Sequence, residues 1–138
     1  MTPPPKHRVL YIEDHADTVE MVTLMLEGGG FNVQAFSTLE AGLEAASEQK
    51  FDLYLLDVWL PDGSGMDLCR KIREFDAKTP IVFYSAAAYD GDKEAALESG
   101  AQAYLIKPTD SPNLCESLFR VLGRDGIDDH PSPADLSE

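Results

Sequence analysis

Five side chains that could take part in chemistry stand directly after apolar segments of the sequence: Glu13, Asp14, Asp57, Ser85 and Lys107. Carboxylates brought close together repel one another, and a divalent cation would relieve that repulsion. A set of oxygen ligands suits Mg²⁺, whereas zinc favours His and Cys. An aspartate beside a metal ion, a lysine and a hydroxyl can accept a phosphoryl group as an acyl phosphate, because the cations offset the charge of the transferring group. These residue types therefore indicate Asp57 as a phosphoryl acceptor, with Lys107 and Ser85 as contacts for phosphoryl oxygens.

Strand ends must bring these side chains together. The apolar run Leu53–Leu56 suits a strand buried on both faces, and the turn residues Pro61-Asp62-Gly63 stop it. Ligands of doubly wound sheets bind beyond the carboxyl ends of the strands, so polar residues that end several strands should meet there. An aspartate such as Asp57 can also simply cap a turn. The coincidence of four strand ends with reactive side chains favours a site over a cap.

Five apolar segments with strand character alternate with five segments of helical spacing. The predicted strands cover residues 9–12, 31–36, 52–57, 80–84 and 103–106. The predicted helices cover residues 16–27, 39–48, 64–75 and 92–98, and a last helix has Ser111 as N-cap and Pro112 as first residue. This alternation predicts an α/β fold with a doubly wound, five-stranded and mainly parallel sheet, covered by helices on both faces.

Length and composition indicate one domain with short flanking segments. Residues 1–6 form a Pro-rich lead, residues 7–122 form the domain, and residues 123–138 form an acidic tail expected to be disordered. The formal net charge of −14 opposes nucleic-acid binding, because phosphate contacts need clustered Lys and Arg. No stretch resembles a membrane span or a signal peptide, so we expect a cytoplasmic protein without membrane contact. Cys69 and Cys115 lack metal-ligand spacing and are interpreted as free thiols.

Four short motifs, in this order, resemble those of the receiver domains of two-component response regulators. They are VLYIEDH, LYLLDVWLPDGSG, PIVFYSA and AYLIKP, and the resemblance extends over about residues 7–122. It implies a flavodoxin-like sheet of strand order 2-1-3-4-5, in which Asp57 takes a phosphoryl group from a phosphohistidine of a histidine kinase. It further implies that Asp14, Asp57 and the carbonyl of Trp59 bind Mg²⁺, and that Glu13 assists through water.

The resemblance also implies a conformational switch. Ser85 stands where threonine is more usual, and Tyr104 matches a switch aromatic that is expected to turn inward once Ser85 is drawn toward the phosphoryl group. The Lys107-Pro108 peptide bond is expected to be cis, as is usual in such domains. Phosphorylation of Asp57 would change a surface around the fourth helix, fifth strand and fifth helix that binds a downstream protein partner. In this interpretation the chain is not an enzyme, since it catalyses only its own phosphorylation and dephosphorylation.

Other functions use the same site or a similar one. The chain could be a shuttle in a phosphorelay that passes its phosphoryl group to a histidine phosphotransfer protein, or it could be the receiver fragment of a larger protein. Hydrolases of the haloacid dehalogenase type also use an aspartate at a strand end, but they need a second aspartate two residues further on as general acid. That position is Trp59 here, so we exclude the class. His15, next to the acidic pair, is not expected to be a ligand because Mg²⁺ prefers oxygen.

Overall fold

The computed structural model of this chain describes residues 7–86, 91–107 and 111–127. The Pro-rich lead, Pro108 with its expected cis bond, and residues 128–138 of the expected tail lie outside these ranges. The strands are β1 (His7–Ile12), β2 (Phe31–Phe36), β3 (Leu53–Leu56), β4 (Trp59–Leu60), β5 (Gly63–Ser64), β6 (Ile81–Ser85) and β7 (Ala103–Ile106). The helices are α1 (Ala16–Gly28), α2 (Leu39–Glu48), α3 (Gly65–Arg73), α4 (Asp92–Glu98) and α5 (Leu114–Ile127).

Five parallel strands form one sheet in the order β2-β1-β3-β6-β7. Counted without the small pair β4 and β5, this is the order 2-1-3-4-5, so the predicted fold is confirmed. The strand order reverses between β1 and β3, and ligands of such sheets bind beyond the carboxyl ends of the strands at the reversal. Glu13, Asp14 and Asp57 follow β1 and β3 directly and therefore lie at that point.

The side chains of the sheet alternate between two apolar cores, one on each face. The first core lies under α2, α3 and α4 and includes the sheet residues Leu10, Ile12, Tyr54, Leu56, Ile81, Phe83 and Tyr104. The second lies under α1 and α5 and includes Val9, Tyr11, Leu53, Leu55, Val82 and Tyr84. All of β3 is buried, which gives Asp57 a rigid support. Within the described ranges, no helix is both long and apolar enough to cross a membrane.

A two-stranded antiparallel hairpin, absent from the sequence prediction, follows Asp57. Strands β4 and β5 pair Trp59 with Ser64 around the turn Pro61-Asp62. Strands of two residues are too short to leave a periodic signal in the sequence, and the turn residues alone were visible. Helix α3 begins directly after β5, where the Ser64 hydroxyl accepts a hydrogen bond from the Met66 N–H at 3.0 Å as the N-cap.

Asp62, at the tip of this hairpin, ties it to the start of α2. Its carboxylate oxygens accept hydrogen bonds from the backbone N–H groups of Leu39 at 2.8 Å and Glu40 at 3.0 Å. The Thr38 hydroxyl, at the N-cap, accepts from the Ala41 N–H at 3.1 Å. The first N–H groups of a helix have no partner inside it, so Asp62 supplies two of the missing acceptors. The hydrogen bonds from Leu39 and Glu40 hold the pKa of Asp62 below its ordinary value.

The C-terminal helix differs from the prediction at both ends. Ser111–Asn113 forms a 3₁₀ helix, and α5 begins at Leu114 rather than at Pro112. Short 3₁₀ turns are common at the N-termini of α-helices. Helix α5 continues to Ile127, so the segment expected to be a disordered tail from residue 123 begins as helix. A glycine such as Gly123 costs a helix only about 1 kcal/mol, and it ends one mainly where the backbone turns left-handed.

Candidate functional site

The structure brings the residues that follow β1, β3 and β7, and the last residue of β6, together in one cleft at the carboxyl edge of the sheet. The cleft has a volume of about 430 Å³. It is lined by Glu13, Asp14, His15, Thr18, Asp57, Trp59, Leu60, Pro61, Ser85, Ala86 and Lys107. The five side chains singled out in the sequence are all among them, as expected. Among these lining residues, Lys107 is the only lysine or arginine.

Asp57 is held rigidly just beyond β3. Its backbone N–H donates to the carbonyl of Ile12 at 3.1 Å and so continues the pairing of β1 with β3. Its Oδ1 accepts two hydrogen bonds, from the Val58 N–H at 2.7 Å and from the Ser85 hydroxyl at 2.6 Å. Its Oδ2 lies 3.7 Å from Lys107 Nζ. The carboxylate, in a residue that is 7% exposed, therefore has one oxygen fixed by donors and the other beside a cation.

Lys107 lies between two carboxylates. Its ammonium forms an ion pair with Oε1 of Glu13 and stands 3.7 Å from Oδ2 of Asp57. It also lies 5.4 Å from the centroid of the Tyr84 ring, a cation–π contact. The backbone N–H of Lys107 donates to the carbonyl of Ser85 at 3.0 Å, so the pairing of β6 with β7 fixes the point from which the side chain reaches the cleft. The side chain is largely buried, which strengthens its attraction to both acids.

Glu13 is buried and Asp14 is exposed, although the two are neighbours in the sequence. Glu13 is 1% exposed. Its Oε1 contacts Lys107, and its Oε2 accepts a hydrogen bond from the backbone N–H of His15 at 3.1 Å. The imidazole Nδ1 of His15 lies 3.5 Å from Glu13 Oε2 and 3.7 Å from Asp14 Oδ1. Both oxygens of Glu13 are thus engaged, whereas Asp14 presents its carboxylate toward solvent.

The cleft contains the oxygen ligands that a hard cation needs. Ligand atoms of Glu13, Asp14 and His15 lie within 4.8 Å of one another, and Asp57 lines the same cleft. The cleft is lined by three carboxylates, of Glu13, Asp14 and Asp57, and by one lysine, so a divalent cation would reduce the repulsion between the carboxylates. Mg²⁺ binds one or two carboxylates and keeps several waters, which suits an open, acidic cleft. The residues present therefore fit the ion expected from the sequence, and the His15 side chain, 80% exposed, stands at the edge of that group.

Trp59 and Gly65 both lie on the segment that follows Asp57. The Trp59 residue is 62% exposed at the rim of the cleft. Gly65 opens α3, and its N–H donates to the carbonyl of Val58 at 2.7 Å. A Cβ on Gly65 would lie 2.0 Å from the carbonyl oxygen of Asp57, so only glycine allows α3 to begin so close to Asp57. This role was not predicted, although a glycine in the first turn of a predicted helix could have indicated it.

Tyr104 lies on the core side of β7. It is 8% exposed, and its ring packs against Phe83 at a centroid distance of 6.1 Å. Burial raises the pKa of its hydroxyl, and the charges of Asp92 and Asp57 raise it further. The ring therefore lies among the core residues in this structure. Its movement between two positions stays a prediction.

Two tyrosines, Tyr11 and Tyr84, lie beneath the cleft and were not identified from the sequence as site residues. Both are fully buried. Burial raises the pKa of Tyr11, and the negative charges of Glu13 and Asp57 raise it further. An aromatic residue in an apolar strand is most simply a core residue, and no local pattern distinguishes one whose hydroxyl approaches a site.

Comparison with known sequences gives one family. A family model for the response regulator receiver domain matches residues 9–119. The KDP operon transcriptional regulatory protein KdpE of Escherichia coli strain K12 is 38% identical over 125 residues, which cover 91% of this chain and 55% of that protein. The chain spans about half the length of the curated relatives it matches.

Solved structures share the fold. A CheY-like response regulator receiver domain protein from Methanospirillum hungatei JF-1 gives a TM-score of 0.84 at 25% identity, covering 89% of this chain and 98% of that chain. The receiver domain of sensor histidine kinase PA1611 from Pseudomonas aeruginosa PAO1, solved with a magnesium ion coordinated in its active site cleft, gives 0.79 at 29% identity, covering 86% and 98%. The sheet order, the cleft at its carboxyl edge and the match over residues 9–119 agree: this chain belongs to the response regulator receiver domain family.

Proposed function

We propose that Asp57 accepts a phosphoryl group from the phosphohistidine of a histidine kinase or a histidine phosphotransfer protein. The observation that carries the proposal is the unequal environment of its two carboxylate oxygens. Oδ1 is fixed by the Val58 N–H and the Ser85 hydroxyl, while Oδ2 lies beside Lys107. A carboxylate oxygen of Asp57 attacks phosphorus, the bond from phosphorus to the imidazole nitrogen breaks, and the imidazole leaves with the electron pair.

Mg²⁺ would be held by Asp14, Asp57 and the backbone carbonyl of Trp59, with Glu13 assisting through water. The bound ion would offset the negative charge of the transferring group. Support comes from the fit of the acidic cleft to an oxygen-ligated cation and from the magnesium ion coordinated in the related receiver domain of PA1611. Lys107, now paired with Glu13 and close to Asp57, would contact a phosphoryl oxygen and add a second positive charge.

The phosphoryl group would shift the chain between two conformations. Ser85 and Lys107 join the site to the sheet edge, because Ser85 pairs with Ile106 and its carbonyl accepts from the Lys107 N–H. New charge-assisted contacts from these two side chains would favour one position of β7 and of Tyr104. The surface formed by α4, β7 and α5 would then change its affinity for a downstream protein partner.

The chain acts in this proposal as a phosphoacceptor and not as a turnover enzyme. Its reactions are its own phosphorylation and dephosphorylation, and we expect them to take place in the cytoplasm. Output by protein contact agrees with the net charge of −14, which opposes binding of nucleic acid by this domain itself.

A labelled phosphohistidine donor tests the acceptor assignment. The original chain should take up label in the presence of Mg²⁺, and Asp57→Asn should take up none. Asp67→Asn, which alters an exposed acid of α3, is the matched control and should be labelled like the original. Stoichiometric, persistent labelling of Asp57→Asn, or undiminished labelling of the original in excess chelator, contradicts the proposal.

The same reaction mixture separates a terminal receiver from a phosphorelay shuttle. A histidine phosphotransfer protein is added to the labelled chain after removal of the donor. Transfer of label to its histidine, faster than hydrolysis, supports the shuttle. Release of label only as inorganic phosphate supports the terminal receiver.

A further inference from the structure

The hydroxyl of Tyr11 is an unused hydrogen-bond donor beneath the cleft. Tyr11 is fully buried, and within the described part of the chain its hydroxyl has no hydrogen-bond partner. Glu13 follows two residues later, so on an extended chain both side chains point to the same face. Burial raises the pKa of the hydroxyl most, and the negative charges of the nearby Glu13 and Asp57 raise it further. A buried hydroxyl without a partner is unfavourable, so its position beside two acids calls for a reason.

Glu13 depends on Lys107 for compensation of its charge. Its Oε2 accepts from the His15 N–H, and its Oε1 is paired with the Lys107 ammonium. The residue is 1% exposed, so water cannot readily replace a lost partner. A buried carboxylate that loses its cation must find another donor or become strongly unfavourable.

Phosphorylation would remove that partner. The phosphoryl group brings additional negative charge to Asp57, whose Oδ2 is already 3.7 Å from Lys107 Nζ. In the proposed function Lys107 then binds a phosphoryl oxygen, and its ion pair with Glu13 is released. Oε1 of Glu13 is left without its donor at the moment when the site must hold the most negative charge.

We propose that Tyr11 is a positioning residue of this site, which donates a hydrogen bond from its hydroxyl to Glu13 when Lys107 moves to the phosphoryl group. The inference rests on the proposed function of Asp57. When Lys107 leaves Glu13 for the phosphoryl group, the Tyr11 hydroxyl and the Glu13 carboxylate each gain a hydrogen-bond partner. This exchange would therefore favour the phosphorylated state and hold Glu13 in place for its proposed role of assisting Mg²⁺ through water.

The first test measures affinity for beryllofluoride, an acyl-phosphate mimic, in the presence of Mg²⁺. Tyr11→Phe should bind it about tenfold more weakly than the original, the loss expected for a hydrogen bond to a charged group. The same variant should unfold at the same temperature as the original or higher without the mimic, because no hydrogen bond is lost in that state.

Tyr54→Phe is the matched control. Tyr54 is also a buried strand tyrosine, but its hydroxyl donates to Asp76 Oδ2 at 3.0 Å, away from the cleft. This variant should unfold at a lower temperature and bind beryllofluoride with unchanged affinity. Tyr11→Phe should therefore lose affinity for the mimic and keep its stability, whereas Tyr54→Phe should lose stability and keep its affinity. A general effect of removing a tyrosine hydroxyl cannot produce both results.

The second test observes the hydrogen bond itself. In protein labelled with ¹³C at the tyrosine ζ position, the signal absent from Tyr11→Phe belongs to Tyr11. It should move when beryllofluoride and Mg²⁺ are added, and Lys107→Met should move it in the same direction without the mimic, because Glu13 has then lost its cation.

Two results separate the inference from the function on which it rests. Equal beryllofluoride affinity of Tyr11→Phe and the original, or a Tyr11 signal that neither treatment moves, overturns the inference while the proposed function stands. Failure of the original to bind beryllofluoride, or equally tight binding by Asp57→Asn, overturns the proposed function and the inference with it.

Discussion

The hydroxyl of Ser85 lies 2.6 Å from Oδ1 of Asp57 and donates a hydrogen bond to it. Ser85 ends β6 and Asp57 follows β3, and the parallel pairing of Leu56 with Phe83 brings the two strand ends side by side. The same Oδ1 accepts from the Val58 N–H. Ser85 is therefore one of two donors that orient the proposed acceptor, and it stands at the end of the strand that pairs with β7.

Ser85→Ala should affect signalling more than stability. Loss of one hydrogen bond should lower the free energy of unfolding by about 1 kcal/mol, measured by urea denaturation. The amide NMR signals of α4, β7 and α5 should no longer shift when beryllofluoride is added. The variant lacks the hydroxyl that would connect the phosphoryl mimic on Asp57 to β6. Ser85→Thr keeps a hydroxyl and should respond like the original. A full spectral response in Ser85→Ala would show that Ser85 does not couple the site to this surface.

Trp59 should report binding of Mg²⁺. It is the only tryptophan of the chain and stands at the rim of the cleft, two residues after Asp57. Its backbone is the proposed ligand, so millimolar Mg²⁺ should change the intrinsic fluorescence saturably, and beryllofluoride should change it further. Asp14→Asn, which removes a proposed ligand, should shift the titration to higher Mg²⁺. Flat emission while calorimetry detects binding contradicts the assignment of the Trp59 carbonyl.

Gly65→Ala should disturb Asp57 through the backbone. The added Cβ would lie 2.0 Å from the carbonyl oxygen of Asp57, so α3 or the acceptor loop must shift. Overpacking of this kind costs about 1–3 kcal/mol of unfolding free energy, and the rate of phosphorylation should fall as well. Gly28→Ala is the control, since nothing lies within 4 Å of its Cβ and alanine favours the helix. Equal stability and labelling rate in Gly65→Ala and Gly28→Ala would contradict the close approach of Gly65 to the Asp57 carbonyl.

Asp76 should make the stability depend on acid pH. Burial alone would raise the pKa of Asp76, but hydrogen bonds from Thr79, Lys78 and Tyr54 outweigh it and hold the pKa below its ordinary value. A folded-state pKa below the unfolded one gives stability that is present above about pH 4 and is lost as the pH falls through the folded value.

The difference in unfolding free energy between the original and Asp76→Asn should therefore be constant at neutral pH and shrink as the pH falls below about 4. Urea denaturation at several pH values measures it. Tyr54→Phe removes one of the donors and should reduce the pH-dependent part without abolishing it. A difference that grows toward acid pH would have the wrong sign for a lowered pKa.

The residues that line the cleft were predictable because strand ends carry a strong local signal. The run Leu53–Leu56 is apolar throughout and stops at Asp57, and Ser85 and Lys107 each follow another apolar segment. Parallel strands then place these ends at one edge of the sheet, so local patterns were sufficient to assemble the cleft.

Features that depend on long-range contacts were not predictable. Asp62 accepts hydrogen bonds from the start of α2, more than twenty residues earlier in the sequence. The hydroxyl of Tyr11 has no hydrogen-bond partner among the described residues, and no sequence pattern encodes this. Local periodicity determines where an element lies, whereas these relationships depend on the packing of several elements.

The attachment of the hairpin to α2 has a consequence for the speed of metal exchange. Asp62 holds the hairpin through amides that lie outside the cleft, so the loop that carries Trp59 does not rely on the ion for its order. If the ion itself ordered the loop, the loop would have to close after Mg²⁺ binds and open before Mg²⁺ dissociates. In the proposed site the Trp59 carbonyl would be supported before the ion arrives, and Mg²⁺ would only have to exchange water for protein oxygen. Arrival and departure of the ion should then follow the rate of water loss from Mg²⁺ itself.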